Sequence, residues 1–285
     1  MYLQGVSTRR VNDITEQLCG VSVSAGRLSR LNHKVYEKLE AWRSRSLPEQ
    51  CEYLYLDGMQ VKARWGEHVE PVWLLVAVAV NLQGYREVMG VELGAVEDEA
   101  GWTALLRQVK RRGLRRVSLV ISDAHQGLCN AVERCYPQAK HQRCIFHFIQ
   151  NVLVQVPHRK RREVATALKA VYSQESAEEA RLKAQRFIKV YGKRFPEATR
   201  TVSAGLEETL TYYQFPELHW RSIRTNNPLE RLLREIRRRL RVVGVFPNPE
   251  SALMLATARL KWTQETKWEQ RIYLNMEAFE ERVAS

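Results

Sequence analysis

Tyr53-Leu54-Tyr55-Leu56-Asp57-Gly58 is the stretch on which the fold turns. Large apolar residues alternate along 53–61 with the period-2 texture of a strand, and one carboxylate sits among them. Two further strand patterns follow at once. Residues 72–80 are a continuous apolar run and 85–93 are a third candidate, with Gly66 and Asn81-Leu82-Gln83-Gly84 as the punctuation between them. Three strands with short connections make an antiparallel meander. Residues 97–112 then read as a helix carrying Trp102, Leu105, Leu106 and Val109 on one face. A short buried strand, 117–122, and a second helix, 126–136, come next. A helix leading into an apolar strand begins a crossover, so the sheet is expected to be mixed.

Upstream, residues 1–45 read as short helices. Ser7 and Thr8 are good cap types ahead of Val11, Ile14 and Leu18, and Gly20 ends that helix. A second helix begins near Ser24 with Leu28, Leu31, Val35, Tyr36 and Leu39 on one face. The outline is a helix-turn-helix, with Arg27, Ser29, Arg30 and Asn32 exposed for DNA, although an ordinary helical hairpin has the same pattern. Downstream, residues 146–218 are almost wholly helical, with breaks at Phe195-Pro196 and Phe215-Pro216. A last basic helix opens at Asn226-Asn227-Pro228 and runs to about Arg241, before a closing helical region that contains Trp262 and Trp268.

Composition narrows the classes. The 285 residues carry 45 Lys+Arg against 32 Asp+Glu, a net charge of +13, and 45% are apolar. That is globular composition and excludes a disordered chain. The longest apolar run has nine residues, 72–80, and a membrane span needs about twenty. Residues 1–10 lack the apolar stretch of a secretory signal, and the five cysteines (Cys19, Cys51, Cys129, Cys135, Cys144) read as reduced thiols. A cytoplasmic protein is expected, associated with the nucleoid if the polyanion suggested by the charge is DNA. A solvated basic surface is the bland alternative, and the position of the charge decides between them.

Three carboxylates occupy informative places. Asp57 interrupts an apolar strand, where a charge is costly unless an ion compensates it. Asp123 follows Leu119-Val120-Ile121-Ser122, at the strand tip where open sheets place ligands. Glu230 stands three residues after Asn227 and completes an Asn-x-x-Glu capping box. Each has a structural reading: Asp57 begins a turn with Gly58, Asp123 caps the following helix, Glu230 caps its own. Yet Arg221, Arg224, Arg231, Arg234, Arg237, Arg238, Arg239 and Arg241 fall within twenty-one residues around Glu230, offset only by Glu230 and Glu235. A phosphodiester site accounts for that better than a solvated face. A meander, an Asp on its first strand, an Asp after the fourth strand and an acid on a later helix form the ribonuclease-H-like layout, in an α/β mixed sheet. Three such carboxylates hold two divalent ions about 4 Å apart. Mg²⁺ suits the all-oxygen donor set, with Mn²⁺ as a substitute.

At this point the sequence resembles a known family, the Mutator-related, DDE-type transposases of bacterial insertion sequences. The resembling stretches are Leu56-Asp57-Gly58, Ser122-Asp123-Ala124-His125-Gln126-Gly127-Leu128 and Gln142-Arg143-Cys144-Ile145-Phe146-His147. The most specific runs from Thr225-Asn226-Asn227-Pro228-Leu229-Glu230-Arg231 through Arg237-Arg238-Arg239 to Val242-Val243-Gly244-Val245-Phe246-Pro247. The resemblance implies Asp57, Asp123 and Glu230 as the metal-binding triad. It also implies a helical insertion (about 152–222) in the 107 positions between Asp123 and Glu230, and action in a multimer that holds two element ends. The division expected is a helix-turn-helix-like segment 1–46 and a catalytic domain 47–285. Family members usually carry a longer region before the piece seen here, so this chain reads as N-terminally truncated.

Arg231, Arg234, Arg237, Arg238 and Arg241 are the expected phosphate contacts, together with Arg27, Arg30 and His125. His125 reads equally as a satisfied loop histidine. Cys144-x-x-His147 is half of a zinc pattern, which Cys129, Cys135 and His141 are near enough in sequence to complete. A buried thiol with a hydrogen-bonded imidazole is the default, and the pair recurs near the catalytic core of the resembling family. Trp220 is a candidate for base stacking, with packing as its ordinary role. The reaction expected is metal-dependent cleavage and strand transfer at the ends of an insertion element. A nuclease without strand transfer and an inactive DNA-binding repressor are the alternatives.

Overall fold

The computed structural model describes residues 25–277 and Phe279, Ala95 apart, with side chains from Lys34 onward except that of Trp65. The first helix expected of the helix-turn-helix lies outside the described residues, as do the side chains of Arg27 and Arg30 on α1 (Ala25–Arg43). Three antiparallel strands form as their patterning requires: β1 (Gln50–Trp65), β2 (His68–Val80) and β3 (Arg86–Gly94). Then come α2 (Glu99–Arg111), β4 (Arg116–Ser122), α3 (Gln126–Cys135) and β5 (Lys140–Arg143). The sheet order is β3-β2-β1-β4-β5, with β4 parallel to β1 and β5 parallel to β4. It is a five-stranded mixed sheet. β5 was not foreseen, because Lys140-His141-Gln142-Arg143 has no apolar pattern and is defined only by its pairing with β4.

The sheet is covered on both faces, which explains the unbroken apolar run of β2. Leu54, Leu56, Leu75 and Ala77 pack against Trp102, Leu105, Leu128 and Ala131 of α2 and α3. Tyr53, Tyr55, Met59, Leu74 and Val76 face a larger helical core. Helices α4 (Ile145–Val154), α5 (His158–Val171), α6 (Ala177–Tyr191), α7 (Pro196–Thr209) and α8 (Glu217–Ile223) supply much of that core. They are followed by α9 (Asn227–Leu240) and α10 (Pro249–Thr263), the latter ending in a short π-helical turn, Gln264–Trp268. Among the described residues no helix is long and apolar enough to cross a membrane.

Both ends of α9 are tied to β1. At its start the buried Asn226 donates its side-chain amide to the Leu56 carbonyl at 2.9 Å. Beyond its end, Gly244 takes φ 78°, a conformation glycine adopts without strain, and turns the chain back. The Phe246 N–H then donates to Lys62 O at 2.9 Å, and the Arg64 N–H donates to Phe246 O at 2.8 Å. The arginine-rich helix therefore lies along β1, on the side where residues with the parity of Tyr55 and Met59 point. Asp57 shares that parity.

Candidate active site

Asp57 and Asp123 line one cavity of about 690 Å³ with Glu97, His147, Arg237 and Arg241. The two aspartates arrive there for different reasons. Asp57 is in the middle of β1, and its Oδ1 accepts only the neighbouring Gly58 N–H, at 2.8 Å. Asp123 follows β4, where its Oδ1 accepts from the Ala124 N–H at 2.8 Å. Asp123 does not cap α3: His125 holds that position, with no side-chain cap bond. Parallel pairing sets the β4 and β5 tips side by side, and the Cys144 N–H donates to Ser122 O at 2.8 Å. Cys144-x-x-His147 thus emerges beside Asp123.

His147 stands between Asp123, at the end of β4, and Glu230 on the helix. Its Nε2 is 3.4 Å from Glu230 Oε1 and its Nδ1 is 4.0 Å from Asp123 Oδ2. Glu230 does not form the expected capping box. The N-cap is Asn226, which makes no side-chain cap bond: its Nδ2 donates to Leu56 O, and its Oδ1 is buried without a partner. Burial that outweighs the Gly58 N–H bond, with repulsion from Glu230 and Glu97, lifts the Asp57 carboxyl to about 7, against a lesser pull from Arg237. Glu97 is itself pushed up, by burial first and then by Asp123, with His125 and His147 opposing.

Glu97 is the residue that sequence reading assigned to a helix and nothing more. The helix starts two residues later, capped by the Asp98 carboxylate on the Gly101 N–H at 2.9 Å, and Glu97 remains in the loop facing Asp57. A Cβ on Gly58 would meet Glu97 Oε1 at 3.1 Å and Trp73 at 3.2 Å, so glycine leaves room for that approach. The acidic run Glu97-Asp98-Glu99 ahead of the helix was the available signal. Its middle member is a cap, and nothing local distinguishes its neighbours.

Residues 1–270 match the family model described as "Transposase, Mutator family". The chain belongs to the Mutator family of transposases. It is 38% identical over 281 residues to the transposase for insertion sequence element ISRM5 of Rhizobium meliloti (strain 1021), covering 99% of this chain and 71% of that protein. The transposase for IS406 of Burkholderia multivorans is 37% identical over 96% of this chain and 71% of its own length. That for IS1081 of Mycobacterium tuberculosis is 37% identical over 97% and 67%. As a transposase the chain is a nucleotidyl-transfer enzyme whose partner is DNA.

The remaining site residues of this Mutator transposase divide. Arg237 and Arg241 enter the carboxylate cavity, whereas Arg231 lines a different one. Arg238 is 3.6 Å from Glu235, and Arg234 is exposed. His125 is exposed and acts electrostatically on Glu97. Cys144 Sγ accepts the Asn226 N–H at 3.3 Å and lies 4.0 Å from Glu230 Oε1, and burial pushes the thiol up to about 11. Ligand atoms of Cys144, His147 and Glu230 all lie within 4.8 Å of one another. Among the described residues Cys129, Cys135 and His141 join no such group; His141 instead bonds Ser122 Oγ through Nε2 at 2.8 Å. Trp220 donates to Phe215 O at 2.8 Å and packs edge-on against Tyr213, which is packing rather than an open stacking face.

Proposed function

We propose that this transposase cleaves and joins DNA by DDE chemistry on a ribonuclease-H-like core, with Asp57, Asp123 and Glu230 as metal ligands. The observation that carries the reading is the gathering of these carboxylates around His147 and one cavity, with the Asp57 carboxyl raised by burial and then by Glu230 and Glu97. Mutually repelling oxygen donors with Arg237 as the opposing cation fit a hard divalent ion such as Mg²⁺. Bound there, the metal supplies activation of an attacking oxygen and charge neutralisation at the leaving oxygen. Arg237 and Arg241 bind the scissile phosphodiester from the helix side. His147 holds Asp123 and Glu230 in register, and Asn226 fixes the helix that carries Glu230 against the strand that carries Asp57. Helices α5–α8, with the end of α4, read as an insertion of about 152–222 within the core. A multimer on DNA that holds two element ends, at the nucleoid, completes the reading.

The test is one assay on labelled element-end DNA with Mg²⁺, comparing the intact chain with Asp57→Ala and Glu230→Ala. Cleavage and joining by the intact chain, lost in both variants, support the proposal. Cleavage that survives in both variants would sink the triad assignment.

A further inference from the structure

The helical spacing of α9 separates its polar residues into two flanks. Glu230, Arg237 and Arg241, at i, i+7 and i+11, share the carboxylate side, while Arg231 and Glu235, at i and i+4, face elsewhere. On that other flank is a second cavity of about 520 Å³, bounded by the α9 start, the π-helical turn and Tyr273. Arg86, Arg221, Arg224, Arg231 and Lys267 line it, and none of the five forms an ion pair among the described residues. The one carboxylate on its wall, Glu235, is already shared by Arg238 at 3.6 Å and Arg239 at 3.8 Å.

Arg86 shows that the cavity is built. Its guanidinium is held between Trp268, 4.8 Å from the ring centre, and Tyr273, at 4.6 Å. Tyr273 is positioned by the β2–β3 turn, where Gly84 O accepts N–H bonds from Tyr273 at 2.8 Å and Leu274 at 3.2 Å. Gly84 has φ 83°, and a Cβ there would meet Leu274 O at 2.0 Å. The Arg86 Nε is buried without a hydrogen-bond partner. Leaving a buried donor unpaired is costly, and a planar guanidinium fixed by two rings suits an oxyanion.

We propose that this cavity is a second phosphate site, which seats a backbone phosphate of DNA outside the carboxylate cavity. It needs only that the chain acts on DNA, not that the carboxylates hold metal. Burial lowers the Arg86 pKa from its ordinary value, in keeping with a charge that has no anion beside it. A strand engaged by both flanks of α9 would be gripped at two points, one reactive and one not.

The test measures binding of a labelled DNA duplex by fluorescence anisotropy in EDTA, across a salt series. The variants are Arg86→Gln and the exposed pair Arg221→Gln/Lys267→Gln, with Arg186→Gln/Lys189→Gln on α6 as a charge-matched control. The cavity pair is expected to lose about tenfold in affinity. The log–log salt slope should fall by about two, one for each phosphate contact removed. Arg86→Gln should lose a comparable factor, and the exposed pair keeps the test valid if that variant misfolds. Unchanged affinity and slope in the exposed pair, or an equal loss in the control, would overturn the site. ATP is titrated in parallel. ATP binding that is lost in the cavity pair while DNA affinity is unchanged would assign the phosphate to a free nucleotide and overturn the DNA assignment.

Discussion

The two flanks of α9 are made from one arginine-rich stretch and reach opposite electrostatic ends. On one, Lys62, Arg237 and Arg241 meet Asp57, Glu97 and Asp123 across a cavity, where burial first, and then repulsion from Glu230 and Glu97, raises the Asp57 carboxyl. On the other, five cations meet one carboxylate that is already engaged. Counting arginines along the sequence treats both flanks as a single clamp. The difference between them is in what each buries: the first a carboxyl beside other acids, the second a group of cations without a free anion.

The largest effect expected is on the carboxylate flank. Asp57→Ala, Asp123→Ala and Glu230→Ala should each reduce Mg²⁺-dependent strand cleavage by about a thousandfold or more, since several kcal/mol of transition-state stabilisation is lost. Their DNA affinity in EDTA should stay within a few-fold of the intact chain; a matching collapse of binding would erase the distinction between the flanks. Glu97→Gln sharpens the same comparison. If Glu97 supports the Asp57 site without ligating, cleavage should fall by about 10- to 100-fold, and raised Mg²⁺ should recover part of it. An unchanged Mg²⁺ titration would remove Glu97 from the site.

A smaller effect tests the burial of the Asp57 charge itself. In divalent-free buffer at pH 8, Asp57→Asn should raise Tm by about 2–4 °C, because it removes a charge that the apo fold holds at a penalty. Differential scanning calorimetry in EDTA reads this directly, and a lower Tm would contradict the burial penalty. The smallest effect concerns His141. Burial first, then Arg143, holds its pKa down to about 4, so the folded state keeps the ring neutral on Ser122 Oγ. A base depressed below its usual value near 6.5 contributes stability that is present above that pH and lost as pH falls toward about 4. Across that window the intact chain should lose Tm more steeply than His141→Gln, and parallel Tm profiles would refute the assignment.

Much of the fold was legible because its signals are local. The alternation of 53–61, the doubly buried run of 72–80 and the helix faces of α2 and α3 depend on period alone. β5 was not legible, since four polar residues become a strand only through the neighbour they pair with. The capping box at Asn227 was a reasonable local inference that failed for a tertiary reason: Asn226 takes the cap position and spends its amide on β1. Glu97 was hidden among acids of equal local merit. Trp220 resolved to packing because its partners, Phe215, Tyr212 and Tyr213, close around it in space.

The sequence by itself determined the strand and helix inventory, the basic character of α9 and the three carboxylates worth watching, because each rests on periodicity, composition or residue type. Tertiary structure alone decided that Asp123 and Glu230 meet at His147, that Glu97 joins them, and that the arginines divide between two cavities. Those facts depend on which flank of a helix faces which strand. Here that rotation is set by two long-range anchors, Asn226 on Leu56 and Phe246 on Lys62 and Arg64, whose partners lie far away along the chain.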